Sequence, residues 1–365
     1  MQNRLFHQLT VLSNPVTHSP PEFKVFIPDD RIAQFPPEVR GESRLLVVSR
    51  KEGKVVHIGA FRDVADFVAG DLLVLNETKV LPARVVGHKP GGGIVELLFL
   101  TESAQALGSG GWTVSALINP VRRLRIGLNI NLPGEALFQI QERSALGGWV
   151  GHWECVGTGF MEWLDKFGMA PLPPYIRRET EPADRERYQT VYARSPGSIA
   201  APTAGLHFTD EILNNLQKRG SDVARLTLHV GWGTFEPIRS DDLANHHMHS
   251  ERYEITEATA SAINRAKETG RKVTAIGTTS VRALEDAARH GIPLTEANRE
   301  AYIFIRPPDK LRIVDRLITN FHRPDSTLLQ LVAAMIGWDL LNDAYACALK
   351  EGLRFYSYGD AMAIV

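Results

Sequence analysis

The stretch Asp71-Leu-Leu-Val-Leu-Asn-Glu-Thr-Lys79 decides how the chain is read. Residues 72–75 are an uninterrupted apolar run, preceded by Gly70 and followed by polar residues. Such a run marks a strand buried on both faces, as in a sheet covered by helices. Directly after it the pattern changes. From Asn76 to Cys155 the sequence offers short β-type runs at 83–86, 94–100, 112–117, 136–141 and 149–155. Gly91-Gly-Gly93, Gly110-Gly111, Pro133-Gly134 and Gly147-Gly148 punctuate them. Many short strands separated by glycine turns predict a small all-β barrel or sandwich.

On either side of this block the pattern is of another kind. Before it, β-type runs at 44–48 and 54–58 are joined by the hairpin signal Lys51-Glu-Gly53, and 63–68 makes one or two helical turns. After it, helical patterns at 160–167, 209–219, 256–269, 280–290 and 326–342, with a further helix reaching Glu351, are interleaved with strands. The strands are expected at 225–230, 273–276, 302–305, 313–318 and 354–356. Thr209 and Thr256 suit N-caps, and Gly220 and Gly270 suit helix stops. Alternating β and α elements imply a largely parallel sheet or barrel. Setting 76–155 aside leaves 285 residues, near the roughly 250 of a (β/α)8 barrel. The expectation is an α/β fold: a (β/α) barrel-like large domain, 1–75 and 156–365, interrupted by an inserted small all-β, barrel-like domain, 76–155.

Composition narrows the function classes. The 365 residues carry 41 Lys plus Arg against 42 Asp plus Glu, a net charge of -1, with 44% hydrophobic residues. That is ordinary for a globular chain and wrong for a disordered one. Balanced charge excludes coating nucleic acid by bulk electrostatics but permits a local basic patch. Cys155 and Cys347 are far apart and outside any CxxC context, so no disulfide or cysteine zinc site is expected. Met1–Pro20 lacks a continuous apolar run, and 328–341 is short and broken by Gln330 and Asp339. Neither export nor a membrane is expected, and a cytoplasmic location is. Residues 1–22, with Pro15, Pro20 and Pro21, read as a loose leader.

Polar and glycine-rich clusters follow the expected strands: Asn76-Glu-Thr-Lys79, His229-Val-Gly-Trp-Gly-Thr-Phe235, Gly277-Thr-Thr-Ser280, Thr319-Asn-Phe-His322 and Tyr358-Gly-Asp360. A sixth, Ala200-Ala-Pro-Thr-Ala-Gly-Leu-His207, precedes the helix that starts at Thr209. The C-terminal ends of strands are where such folds assemble active sites. In His246-His-Met-His-Ser-Glu251, the side chains of His247, His249 and Glu251 would share one face of a strand, as in a metal triad. No HExxH, DxD or CxxC completes it, so a hydrogen-bonded cluster is the preferred reading and a metal-dependent hydrolase the alternative. Dinucleotide binding is excluded because Gly157-Thr-Gly159 continues Phe-Met-Glu. No P-loop and no G-x-S-x-G elbow occurs.

Taken together the segments resemble the S-adenosylmethionine:tRNA ribosyltransferase-isomerase family of queuosine biosynthesis. The resembling stretches include Gly70-Asp-Leu-Leu73 with Asn76 and Thr78-Lys-Val80, Pro171-Leu-Pro-Pro-Tyr-Ile176, and Arg187-Tyr-Gln-Thr-Val-Tyr-Ala193. Ala200–Thr209, Leu228-His-Val-Gly231, Gly233-Thr-Phe235, Gly277-Thr-Thr279 with Arg282, Thr319-Asn-Phe-His322 and Tyr356-Ser-Tyr-Gly-Asp360 continue the series. The resemblance runs from about Phe23 to the C-terminus. It implies a monomer of α/β barrel plus inserted β domain. It also implies transfer of the ribosyl part of S-adenosylmethionine to 7-aminomethyl-7-deazaguanine at the tRNA wobble position. The product would be epoxyqueuosine-tRNA, with adenine and methionine released and no metal required.

Within that implied reaction, His207, His229 and His322 are the acid–base candidates, because histidine titrates near working pH. Asp315 and Asp360 are candidates for orienting a histidine or offsetting the sulfonium. Thr203, Gly231, Gly233, Thr234, His249, Glu251, Thr278, Thr279 and Asn320 are the candidate contacts to the small substrate. Tyr188 and Gln189 are expected to stack on or read a flipped base. Lys79, Arg84, Arg122, Arg123, Arg177, Arg178 and Arg187 are candidates for tRNA phosphates. The chain departs from the family pattern at Lys24, at Pro307-Pro-Asp-Lys-Leu311 and at Arg323-Pro-Asp325, which makes a divergent paralogue that binds tRNA without this activity a second alternative.

Overall fold

The computed structural model describes residues 20–108, 111–144, 147–231, 233 and 250–365, so nearly all of the expected leader lies outside the described residues. The chain divides into two compact units. One comprises Lys79–Tyr188 and Pro196–Ala200; the other comprises residues 20–78, Gln189–Ser195 and the described part of Ala201–Val365.

In the first unit, six described strands close into an antiparallel barrel: Arg84–His88, Ile94–Ala106, Trp112–Asn119, Asn129–Asn131, Leu137–Arg143 and Trp149–Glu154. Five of them fall on the expected runs. Asn129–Asn131 does not, since three residues with asparagine at both ends carry no strand pattern. Alternate residues point inward, so Val85, Leu97, Phe99, Val114, Phe138, Ile140 and Trp153 form one core. Gly151 lies where a Cβ would press on the Gln139 carbonyl at 2.6 Å. The helix Phe160–Phe167 adds Phe160, Trp163 and Leu164 to the same core, at helical spacing. Phe99 meets the Phe160 ring edge-on at 5.2 Å, and Trp163 donates its indole N–H to the Pro133 carbonyl at 2.8 Å. Truncating Trp163 to Ala removes that much packing and costs about 3–5 kcal/mol.

In the second unit, nine described strands make one mixed sheet. Its order is Ala297–Ala301, Glu251–Ile255, Asp222–Leu228, Leu72–Asn76, Val273–Ile276, Arg316–Asn320, Ala361–Ile364, Arg44–Ser49 and Lys54–Ala60. The four from Asp222–Leu228 to Arg316–Asn320 run parallel. Leu72–Asn76 and Val273–Ile276 are buried throughout, as strands covered on both faces must be. Ala297–Ala301 forms one edge, with charged Arg299 and Glu300 exposed on it. The helix Thr278–His290 is almost wholly buried, whereas Asp210–Lys218 and Glu257–Glu268 are amphipathic and capped by the Thr209 and Thr256 hydroxyls. The α/β character and the closed β barrel agree with the sequence reading. The large sheet is mixed because antiparallel strands flank its parallel centre.

Three local expectations change. The strand expected at 302–305 is Ala297–Ala301 instead, paired with Glu251–Ile255. The final strand is Ala361–Ile364 rather than 354–356, because Tyr356 has φ 70, which no strand residue adopts. The single helix expected over 326–342 is broken at Gly337 (φ 79) into Thr327–Ile336 and Trp338–Lys350.

Candidate active site

The chain leaves the central strand Leu72–Asn76 for Asp222–Leu228 on one side and later returns to Val273–Ile276 on the other. The C-terminal end of Leu72–Asn76 is therefore a switch point, the place where open α/β sheets hold ligands. Asn76 ties this end together. Its Nδ2 donates to the Leu228 carbonyl at 2.9 Å and to Thr279 Oγ1 at 3.2 Å, and its Oδ1 accepts from the Leu228 and Thr78 N–H groups. One buried side chain thus links three successive clusters that follow strands.

The next strand end carries Asn320 and, against it, His207. The turn Thr203–His207, entered through Pro202, delivers the imidazole into the interior. Asn320 Nδ2 donates to the Tyr356 carbonyl at 3.0 Å, which fixes which side of the amide is nitrogen. The same Nδ2 lies 3.1 Å from His207 Nε2, so that nitrogen accepts. His207 Nδ1 then carries the proton and donates to Ser43 Oγ at 2.7 Å. Burial, with the positive charges of Arg354 and Arg40, pushes the imidazole down to about 3. His207 is neutral, with both nitrogens engaged.

His229 stands differently. It follows Asp222–Leu228, is half-buried, and pairs through Nδ1 with Thr78 Oγ1 at 2.8 Å. Its pKa is lowered by burial and by Arg252, against a smaller opposite pull from Glu254. His229 Nε2 meets no hydrogen-bond partner among the described residues. His322 is buried and pairs through Nε2 with Thr319 Oγ1 at 2.7 Å, and its backbone N–H donates to the Tyr345 hydroxyl at 2.7 Å. Burial brings its imidazole to about 3.

Several buried polar atoms here have no hydrogen-bond partner among the described residues: Asn320 Oδ1, the Tyr192 hydroxyl, and Nε and Nη2 of Arg282. Arg282 sits one turn into Thr278–His290 and is ion-paired through Nη1 with buried Glu251, whose other oxygen accepts from the Gly231 N–H at 3.3 Å. Burial lowers the guanidinium to about 10. Gly205 leaves space for the Tyr192 hydroxyl, because a Cβ there would collide with it. Unpaired buried groups are costly. A polar molecule bound against them would satisfy them.

The comparisons with known proteins point the same way. The family model described as "Queuosine biosynthesis protein" matches residues 21–364. The chain belongs to that family. Its relatives include the S-adenosylmethionine:tRNA ribosyltransferase-isomerases of Citrifermentans bemidjiense, 46% identical over 94% of this chain and 98% of the relative, and of Clostridioides difficile, 43% identical over the same shares. The solved structure of the S-adenosylmethionine tRNA ribosyltransferase from Thermotoga maritima is similar with a TM-score of 0.52 and 30% identity, over 94% of this chain and all of that one.

Against this queuosine-biosynthesis fold the candidate residues sort by position. His207, His229, Asn320, Glu251, Gly231, Thr278 and Thr279 occupy the C-terminal ends of the parallel strands or the turns beside them, with Thr203 opening the His207 turn. Gly233 is described by position only, and Thr234, His247 and His249 lie outside the described residues. Asp315 belongs elsewhere. It precedes Arg316–Asn320, at the opposite end of the strand from Asn320, and holds Lys267 Nζ at 3.1 Å and the Val273 N–H at 2.9 Å. Asp360 touches no histidine; its two oxygens accept the Arg44 and Arg354 N–H groups at 2.7 Å each.

The basic candidates all lie in the barrel unit. Lys79, Arg122, Arg123 and Arg177 are exposed and Arg187 is half-buried. Arg84 is instead buried against Glu96, and Arg178 is held by both oxygens of Asp184 at 2.7 Å, so neither guanidinium faces water. Tyr188 is only 1% exposed and belongs to the interior of its unit, not to a stacking surface. Gln189 is half-buried and its carbonyl accepts from Arg40. Ser43, Thr78, Tyr192 and Arg282 were not among the candidates. Thr78, Tyr192 and Arg282 sit in stretches that resemble the family, but only contact geometry separates them from neighbouring cap and turn residues.

Proposed function

We propose that this chain transfers the ribosyl moiety of S-adenosylmethionine to 7-aminomethyl-7-deazaguanine at the tRNA wobble position and isomerises it. Epoxyqueuosine-tRNA forms, and adenine and methionine leave. The observation that carries the reading is the family match over residues 21–364. S-adenosylmethionine supplies a sulfonium that acidifies the adjacent carbon and makes a leaving group. The residues at the strand ends suit such a cosubstrate: Asn320 Oδ1 is a free acceptor for a hydroxyl, and the Tyr192 hydroxyl and the Arg282 edge are free donors.

His229 is the base in this scheme. It is neutral by burial, partly exposed, and oriented by Thr78, which leaves Nε2 to take a proton. His207 is a positioning residue that locks the Asn320 amide, and His322 holds the Thr319 turn beside it. Thr203, Gly231, Gly233, Thr278 and Thr279 border the cosubstrate. Lys79, Arg122, Arg123, Arg177 and Arg187 meet tRNA phosphates, with the inserted domain taken as residues 76–155. The enzyme works as a cytoplasmic monomer without a metal; among the described residues no helix is long and apolar enough to cross a membrane.

The test mixes protein, S-adenosylmethionine and tRNA bearing the deazaguanine precursor, and measures adenine by chromatography. Adenine release in step with the modified wobble nucleoside is expected. Absence of adenine while that tRNA still binds overturns the reading.

A further inference from the structure

Arg282 is 3% exposed, and among the described residues its guanidinium is ion-paired through one nitrogen only. Nη1 faces Glu251, and Asp286, held by the Tyr253 hydroxyl at 3.1 Å, adds attraction from the same helix. Nε and Nη2 have no hydrogen-bond partner among the described residues. These two N–H groups lie along one edge of the planar guanidinium, as a fork spaced for the two oxygens of a carboxylate. Leaving such a pair dry and unbonded is among the more costly arrangements a protein interior holds. Its place is also specific: one turn into the helix that follows Gly277, whose Thr279 hydroxyl bonds Asn76 at the switch point.

We infer that the free edge of Arg282 is the docking site for the α-carboxylate of the amino-acid part of S-adenosylmethionine, a role that rests on the ribosyl-transfer reading above. Glu251 is its positioning partner. It holds Nη1 and the Gly231 N–H together, so that the guanidinium plane is set before the ligand arrives. The same carboxylates disfavour other anions: a ligand must bring its carboxylate to the fork and carry positive charge near Glu251, as an α-amino acid does.

The test is equilibrium binding by calorimetry, without tRNA, of S-adenosylmethionine and of decarboxylated S-adenosylmethionine. The wild type is expected to prefer the carboxylated form by roughly ten- to a hundredfold, the range of a charge-assisted bidentate contact. Arg282→Lys keeps the charge beside Glu251 but loses the fork. It is expected to weaken S-adenosylmethionine by at least about tenfold while leaving the decarboxylated form unchanged. Should Arg282→Lys fail to fold, Glu251→Gln with Arg282→Gln removes both charges together and is expected to abolish the preference. Equal affinities in the wild type, or equal weakening of both ligands in the variant, overturns the assignment. Failure of adenine release with precursor tRNA instead overturns the ribosyl-transfer reading, while the binding preference is still measured.

Discussion

The four central parallel strands end very differently at their two ends. At the N-terminal ends the charged groups Asp71, Asp315 and Arg271 are each held by several partners. Asp71 accepts from Thr274 Oγ1 at 2.6 Å and Arg316 Nη1 at 2.9 Å, and Asp315 takes Lys267 and the Val273 N–H. Arg271 donates to the Gly70, Asp71 and Gly220 carbonyls and pairs with Asp222. At the C-terminal ends, Asn320 Oδ1, the Arg282 edge and the nearby Tyr192 hydroxyl are buried without partners. One end completes its bonds on folding and secures the sheet. The other end keeps bonding capacity in reserve, which is what a ligand requires.

The largest effect expected at the reactive end is that of His229→Ala. Loss of a general base lowers kcat by about 10²–10⁴-fold, read as adenine release at saturating substrates, with little change in the urea midpoint. At the satisfied end the converse is expected. Asp71→Ala leaves Thr274 without its acceptor and Arg316 with only the Phe67 carbonyl, and costs about 3 kcal/mol in urea unfolding, while the rate per folded molecule is kept. A rate loss in Asp71→Ala with an unchanged midpoint would erase the distinction.

Acid sharpens it further. His207 and His322 bind protons at about 3 when folded but near 6.5 when unfolded. Their contribution is full above pH 6.5, because the unfolded chain then gains no proton that the folded one lacks. It is lost as pH falls from 6.5 towards 3, at up to about 1.4 kcal/mol per pH unit for each histidine. Replacing His207 by Gln, which keeps a donor and an acceptor, is expected to flatten that slope by up to half; an unchanged slope in a pH series of urea melts removes His207 from this account. The smallest effect is expected from Ser43→Ala. It deletes one hydrogen bond to His207, costs about 1 kcal/mol, and raises KM more than it lowers kcat.

How much of this was legible beforehand follows from the range of the signals. The barrel could be read because its strands are punctuated by glycine pairs. The buried run 72–75 announced a covered sheet. The order of motifs announced the family, and several of the clusters that follow expected strands do lie at strand C-terminal ends. What escaped were features set by contacts far along the chain. Ser43 and His207 are separated by 164 positions, and Asn76 and Thr279 by 203, and no periodicity reports such pairs. Asp315 misled because the strand expected at 313–318 is Arg316–Asn320, which places Asp315 just before its N-terminal end. Arg84, Arg178 and Tyr188 misled because residue type alone does not tell an exposed contact from a buried partner of Glu96, of Asp184 or of a core.

Amide hydrogen exchange with and without S-adenosylmethionine tests the contrast between the two ends most directly, since binding protects what it orders. Slowed exchange is expected in residues 203–207, 277–282 and 319–322, with no change in 70–72, 220–222 and 271–274. Protection confined to the N-terminal ends, or absent from both at saturating S-adenosylmethionine, would contradict the account.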